Sequence, residues 1–225
     1  MLYEKQLGLA ADGSPRHSTA LLAEVERAAA ACGGWDQVAQ IAVGRGPGSF
    51  VGIRIGLATA RGLAASTGLP VTGVCTLDAL GRAITEKATS SAVPSPRNEE
   101  QGHSGSLAVL DARRGEVFAA LYSPSGERPW EPFVASPEAL VERLSALPRP
   151  RLTAGSGAVR FRHELAGRDV EIPDDDDPIH LVAARHVCAL AEADVGGAGV
   201  ALEPIYLRPP DAQRWRERDD SKRSN

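Results

Sequence analysis

Residues 44–65, GRGPGSFVGIRIGLATARGLAA, restrict the fold more than any other part of the chain. Ile41, Ala42 and Val43 form a short apolar run that Gly44, Gly46, Pro47 and Gly48 end, and this density of glycine and proline forces a tight, irregular turn. Ser49 stands where a helix needs an N-cap, and no proline follows until well after Ala65, so a helix of about four turns is predicted. At about 100° per residue, Gly52, Gly56, Ala60 and Ala64 fall on one ridge of small residues flanked by Ile53, Leu57 and Leu63. Arg54 and Arg61 share another stripe to within roughly 20°. Each glycine costs such a helix on the order of 1 kcal/mol relative to alanine, so packing against something else must hold it.

Three uses fit a segment of this kind. A phosphate loop needs GxxxxGK[ST] or GxGxxG, and no lysine follows Gly48, while glycines at 44, 46 and 48 do not give the second pattern. That disfavours nucleotide binding here. A buried crossover helix packed on its own sheet and a close helix contact with a partner chain both satisfy the pattern, and the sequence leaves both open. The partner reading predicts that Gly52, Gly56 and Ala60 face the partner. It also predicts that Arg54 and Arg61 are paired with carboxylates or carbonyls, because an unpaired buried guanidinium is costly.

Elsewhere the chain reads as alternating helices and strands. Residues 2–10 are predicted as a strand and 18–31 as a helix with Leu22, Val25 and Ala29 on one face. Strands at 38–43 and 69–74 flank the opening segment, which makes a parallel crossover unit, and 76–84 continues as a helix. Residues 88–105, ATSSAVPSPRNEEQGHSG, lose all hydrophobic periodicity and are expected to be a flexible linker or insertion. Alternating runs at 107–111 and 116–122 around Ala112-Arg113-Arg114-Gly115 signal a hairpin, in which Asp111 and Arg113 hold a turn or pair with each other. A helix at 137–146 capped by Ser136 and a strand at 152–158 follow. The acidic run Asp174 to Asp177 lacks the spacing of a calcium loop; Asp177 as N-cap and Pro178 as first residue instead start a helix at 179–193.

Composition bounds the function. At 225 residues and 43% hydrophobic, the chain can bury one large core or two modest ones, and with 4% aromatics that core is mostly aliphatic. A net charge of −4 provides no global basic field, so RNA would have to be held jointly with a partner. Cys32, Cys75 and Cys188 are widely spaced with no CxxC, which points to reduced thiols and a cytoplasmic setting. No apolar run approaches 18 residues and no charged-then-apolar leader is present, so neither a membrane span nor a signal peptide is expected.

The segment GPGSFVGIRIG resembles the signature of the TsaB family, usually GPGSFTGLRIG. Gly46, Pro47, Gly48, Ser49, Phe50, Gly52, Arg54, Ile55 and Gly56 agree, and Val51 and Ile53 depart mildly. RHSTALL from Arg16, LDARRGEVFAALY from Leu110 with the family's DAR tripeptide, and PIYLRPPDA from Pro204 resemble further family segments in the expected order. The resemblance implies an actin-like, ribonuclease-H-like duplicated α/β fold, with lobes at 1–87 and 106–208, the linker at 88–105 and a polar tail at 209–225. It implies a non-catalytic scaffold subunit without a cofactor. That subunit would pair with the TsaD threonylcarbamoyltransferase in modifying tRNA next to the anticodon, with the TsaE ATPase joining and tRNA reached indirectly. A homodimer of the isolated chain is left open. Family members also begin with an apolar strand ending in Asp-Thr-Ser or similar and a second strand, so this chain is expected to lack the opening strands of its first lobe.

Two other classes share the superfamily. A glycoprotease-type metallopeptidase needs paired metal histidines such as HExxH, which His17, His103, His163, His180 and His186 do not supply. An actin-like-fold kinase or ATPase needs a phosphate hairpin at the very start, and none is present. No nucleophile with a base and no paired carboxylates at a glycine loop stand out either.

Overall fold

The computed structural model describes residues 3–7, 17–90, 105–146, 152–165, 171–193 and 202–208. In the first half, helix α1 (His17–Ala31) and a 3-10 turn (Trp35–Gln37) lead into strand β1 (Ile41–Gly44), helix α2 (Phe50–Thr67), strand β2 (Val71–Val74) and helix α3 (Thr76–Ser90). β1 and β2 pair in parallel from Ile41↔Val71 to Gly44↔Val74, and α2 crosses between them and packs on β1. Both strands are shorter than expected. The 3-10 turn ends at Gln37 and residues 38–40 lead into β1 without a ladder, and the pairing on the other strand starts only after Pro70, which has no N–H to give.

The second half holds strands β3 (Ser106–Arg113), β4 (Glu116–Tyr122), β5 (Phe133–Ala135) and β6 (Leu152–Ala154), with helices α4 (Pro137–Ser145), α5 (Ser156–Arg160), α6 (Arg162–Leu165) and α7 (Ala184–Ala193). The sheet order is β5-β4-β3-β6, antiparallel except for the parallel β3–β6 pair. Period-two alternation covers it on both faces. Ala108, Leu110, Phe118 and Ala120 meet Leu77, Leu80 and Ile84 of α3, while Leu107, Val109, Val117 and Leu121 meet Trp130, Leu140, Leu144 and Leu165. On its other side α3 places Ala79 against Val74, Val187 and Ala191, so this one helix is shared by the β1–β2 unit and the second sheet.

Five further sequence expectations change. Residues 3–7 form no ladder; the segment is held by side chains, with Tyr3 donating to Glu24 and Glu4 accepting from the backbone N–H and the guanidinium of Arg185 at 3.1 and 2.7 Å. In α1 Ala29 is buried but Leu22 is 55% exposed, because neighbours cover only the C-terminal half of the shared stripe. Helix α3 continues past Ile84 to Ser90, held by Thr85 on Ser106 and by Lys87 on Asp177. The single helix expected at 179–193 is a 3-10 turn (Pro178–His180) and then α7, separated by an extended Leu181. Asp177 does cap its start, accepting from the Ile179 N–H at 2.9 Å. The break follows from His180, whose buried ring accepts from the Gly155 N–H at 3.1 Å and turns Nε2 to the carbonyls of Pro173 and Asp174 at 3.2 and 3.0 Å. β6 likewise stops at Ala154, where Gly155 turns the chain into α5. Residues 91–104 of the expected linker and the tail 209–225 lie outside the described residues.

Candidate partner-binding face

The loop that ends β1 fixes the start of α2. Gly46 and Pro47 are buried, the Gly46 N–H donates to Thr76 Oγ1 at 3.1 Å, and the Thr76 N–H donates back to the Gly46 carbonyl at 2.8 Å. Gly46 has φ 96°, and a Cβ there would stand 2.7 Å from Ile53 Cδ1 and 3.1 Å from the Ile205 carbonyl, so only glycine fits. The exposed Gly48 completes the loop, and Ser49 caps α2 by accepting from the Gly52 N–H at 3.3 Å.

The ridge of small residues lies on the inner side of α2, not the outer. A Cβ on Gly56 would meet Val43 Cγ2 of β1 at 3.7 Å, Ala60 is 4% exposed beside Ile53 and Leu57, and Gly52 approaches only its own cap. Gly56 and Ala60 therefore serve the packing of the helix on its own sheet. The outward face carries Phe50, Val51, Arg54, Ala58, Arg61 and Gly62, with Phe50 and Val51 52% and 58% exposed.

The two arginines of that face reach the chain's C-terminal segment. Arg61 Nη2 donates to the Leu202 carbonyl at 2.7 Å, the kind of partner the sequence predicts. Arg54 has neither carboxylate nor carbonyl among the described residues. Its Nε donates to the Tyr206 hydroxyl at 3.1 Å, and its guanidinium lies 3.9 Å from the centre of the Phe50 ring, which stacks on Tyr206 at 5.4 Å. Phe50, Val51, Arg54 and Tyr206 thus make an exposed apolar and arginine patch, the composition of interface hot spots. Sequence reading missed Tyr206, whose one signal is its place in PIYLRPPDA.

Asp111 and Arg113 sit at the far end of the second sheet. The Arg113 N–H donates to Asp111 Oδ1 at 2.8 Å, and Asp111 Oδ2 holds Arg160 at 2.9 Å and Arg113 at 3.5 Å, so the pair does hold its turn.

Between the sheets a cleft of about 410 Å³ is lined by Arg45, Cys75, Asp78, Arg128, Glu131 and Ile205, among others. Asp78 accepts from Tyr122 at 2.7 Å and from Arg128 at 2.6 Å, and Arg128 also holds Glu131 at 2.8 Å. Burial and then the Asp78 charge push the Cys75 thiol up, away from the reactive thiolate. Burial, with Asp78, pushes the Tyr122 hydroxyl up as well. Burial works against the Arg128 charge, but hydrogen bonds to Asp78 and Glu131 outweigh it and hold the guanidinium protonated. Asp78 and Glu131 are each paired with Arg128, whereas the buried Nε of Arg45 has no hydrogen-bond partner among the described residues. Among the described residues no group of three His, Cys, Asp or Glu could hold a metal ion, and no helix is long and apolar enough to cross a membrane.

Two sheet-centred halves sharing one helix define an α/β protein of the actin-like kind. Residues 11–142 match the family model described as TsaD, tRNA N6-adenosine threonylcarbamoyltransferase. The tRNA threonylcarbamoyladenosine biosynthesis protein TsaB of Escherichia coli K12 is 33% identical over 176 residues, 75% of this chain and 70% of that protein. The TsaB protein of Haemophilus influenzae is 29% identical over 206 residues, 85% of this chain and 80% of its own. Among solved structures, an uncharacterized Pseudomonas aeruginosa protein with similarity to peptidase YeaZ superposes with a TM-score of 0.65 at 29% identity over 87% of each chain. YeaZ from Pseudomonas aeruginosa gives 0.63 at 28% identity over 85% of each. The chain belongs to the TsaB family.

Proposed function

We propose that this chain is the non-catalytic scaffold subunit of a cytoplasmic complex that makes threonylcarbamoyladenosine in tRNA next to the anticodon. It pairs through the outward face of α2 with a threonylcarbamoyltransferase of the TsaD kind, an ATPase of the TsaE kind joins the complex, and without its partner the same face supports a homodimer. The observation that carries the reading is the patch of Phe50, Val51, Arg54 and Tyr206, an apolar and arginine surface on a rigid, capped helix. The names of the similar E. coli and H. influenzae proteins support the pathway. The Asp78–Arg128–Glu131 pairing and the raised Cys75 thiol support a scaffold role, with the chemistry left to the partner.

The test is reconstitution. Nucleoside analysis of tRNA incubated with the transferase, the ATPase, ATP, threonine, bicarbonate and the activating enzyme should detect the modified adenosine only when this chain is present. Equal yield without the chain would defeat the proposal, and so would modification by this chain without the transferase.

A further inference from the structure

The cleft between the sheets holds a cation that the described fold leaves unanswered. Arg45 follows β1 with its backbone clamped on two sides: its N–H donates to the Val74 carbonyl at 2.9 Å, and its carbonyl accepts from the Ile205 N–H at 2.8 Å. Its side chain passes Gly73 of β2, where a Cβ would stand 3.1 Å from Arg45 Cδ and 3.5 Å from Leu202 Cδ2, so the strand makes room for the arginine stem. Arg45 lines the cleft, its Nε is buried, and its guanidinium has neither an ion pair nor a hydrogen bond among the described residues. A buried donor without an acceptor lowers stability, and a guanidinium cannot give up its proton to escape that cost. Thr72, also at the cleft, accepts from the Gln40 amide through Oγ1 and keeps its own hydroxyl proton to donate.

The second half of the chain brings the opposite charge to the same cleft. Arg128 is one cation for two carboxylates, Asp78 and Glu131, and Glu131 Oε1 accepts nothing among the described residues while its side chain is 80% exposed. Two arginines and two carboxylates balance overall, so the cleft favours a ligand that carries both charges apart over a bare anion or cation. Val74, Leu190 and Leu207 add apolar wall, and the volume of about 410 Å³ falls in the range of small-ligand sites. We propose that this cleft binds a zwitterion with an apolar body, an α-amino acid whose side chain is aliphatic or aromatic. Its carboxylate meets the Arg45 fork and the Thr72 hydroxyl, its ammonium meets Glu131, and its side chain lies on the apolar wall. Bound there, it ties β2 and the segment 202–208 to the loop that carries Arg128 and Glu131.

The test is calorimetric titration and thermal unfolding of the full chain with leucine, isoleucine, valine, methionine and phenylalanine, each as the free amino acid. At least one should bind and raise Tm by a few degrees at saturating concentration. For that amino acid, the carboxamide, which lacks the carboxylate, and the N-acetyl derivative, which lacks the ammonium, should each bind at least about tenfold more weakly. Arg45→Met keeps the stem beside Gly73 and removes the unpaired charge, so it should lose binding with its unliganded Tm unchanged or raised. Glu131→Gln should weaken binding about tenfold and leave the fold intact, and it decides the matter with the two derivatives if Arg45→Met does not fold. Binding of none of the five would overturn the proposal. So would undiminished binding to Arg45→Met or to Glu131→Gln. An N-acetyl derivative that binds as well as the free amino acid would make the cleft a plain anion site and reject the zwitterion.

Discussion

Position 81 shows how a single atom can decide the packing of α3. A Cβ there would sit 2.4 Å from two carbons of the Tyr122 ring, and that ring is 4% exposed and tied to Asp78 at 2.7 Å, so it has nowhere to go. Gly81→Ala should therefore destabilise the protein by about 1–3 kcal/mol or more despite the higher helix propensity of alanine. Urea unfolding with an unchanged m-value checks this, and a stabilised variant would contradict the packing described. His186 gives a prediction in pH. It is 6% exposed, and burial depresses its pKa although Glu86, 3.5 Å away, opposes the shift. A depressed histidine binds protons more readily when unfolded, so its contribution is fully present above the unfolded value near 6.5 and is lost as pH falls below it. Stability should thus decline between about pH 7 and 5.5, above the carboxylate range, and His186→Gln should flatten that part of the curve. A wild-type curve flat over the same interval would refute it.

At the scale of elements, α2 was legible in the sequence and its direction was not. The glycine loop, the Ser49 cap and the uninterrupted run gave the helix, since each is a local signal. Which stripe faced inward was undecided, because small residues suit a sheet as well as a partner helix, and Val43 on β1 decides it. Two substitutions separate the faces. Gly56→Leu drives a side chain toward Val43 and should cost about 1–3 kcal/mol of fold stability. Gly62→Leu enters open space, where a Cβ meets nothing within 4 Å, and should leave the melting temperature nearly unchanged while weakening partner association. Equal losses of stability in both would mean that the outer face is also covered within the chain. The break at Leu181 was illegible for the opposite reason: nothing local interrupts PIHLVAARH, and only the distant Gly155 N–H and the Pro173 and Asp174 carbonyls require the His180 ring where it is.

For the whole molecule, the segment 202–208 ties the ends together. Its Leu202 carbonyl and Tyr206 hydroxyl meet α2, the Ile205 N–H donates to the Arg45 carbonyl at 2.8 Å, and Arg208 pairs with Glu116 beside the turn of the hairpin. These contacts span 92 to 160 positions in sequence, which is why no local pattern announced them. Arg208 is largely buried, so Arg208→Ala should cost about 1–3 kcal/mol, read as a lower urea midpoint.

The central claim is that the outward face of α2 joins this chain to a transferase partner. Size-exclusion chromatography with light scattering, on the chain mixed with a threonylcarbamoyltransferase of the TsaD kind, measures it most directly. The account predicts a one-to-one complex for the wild type, and separate elution for Phe50→Asp/Val51→Asp at unchanged melting temperature. Co-elution of that variant at wild-type affinity, or no complex for the wild type, would contradict it.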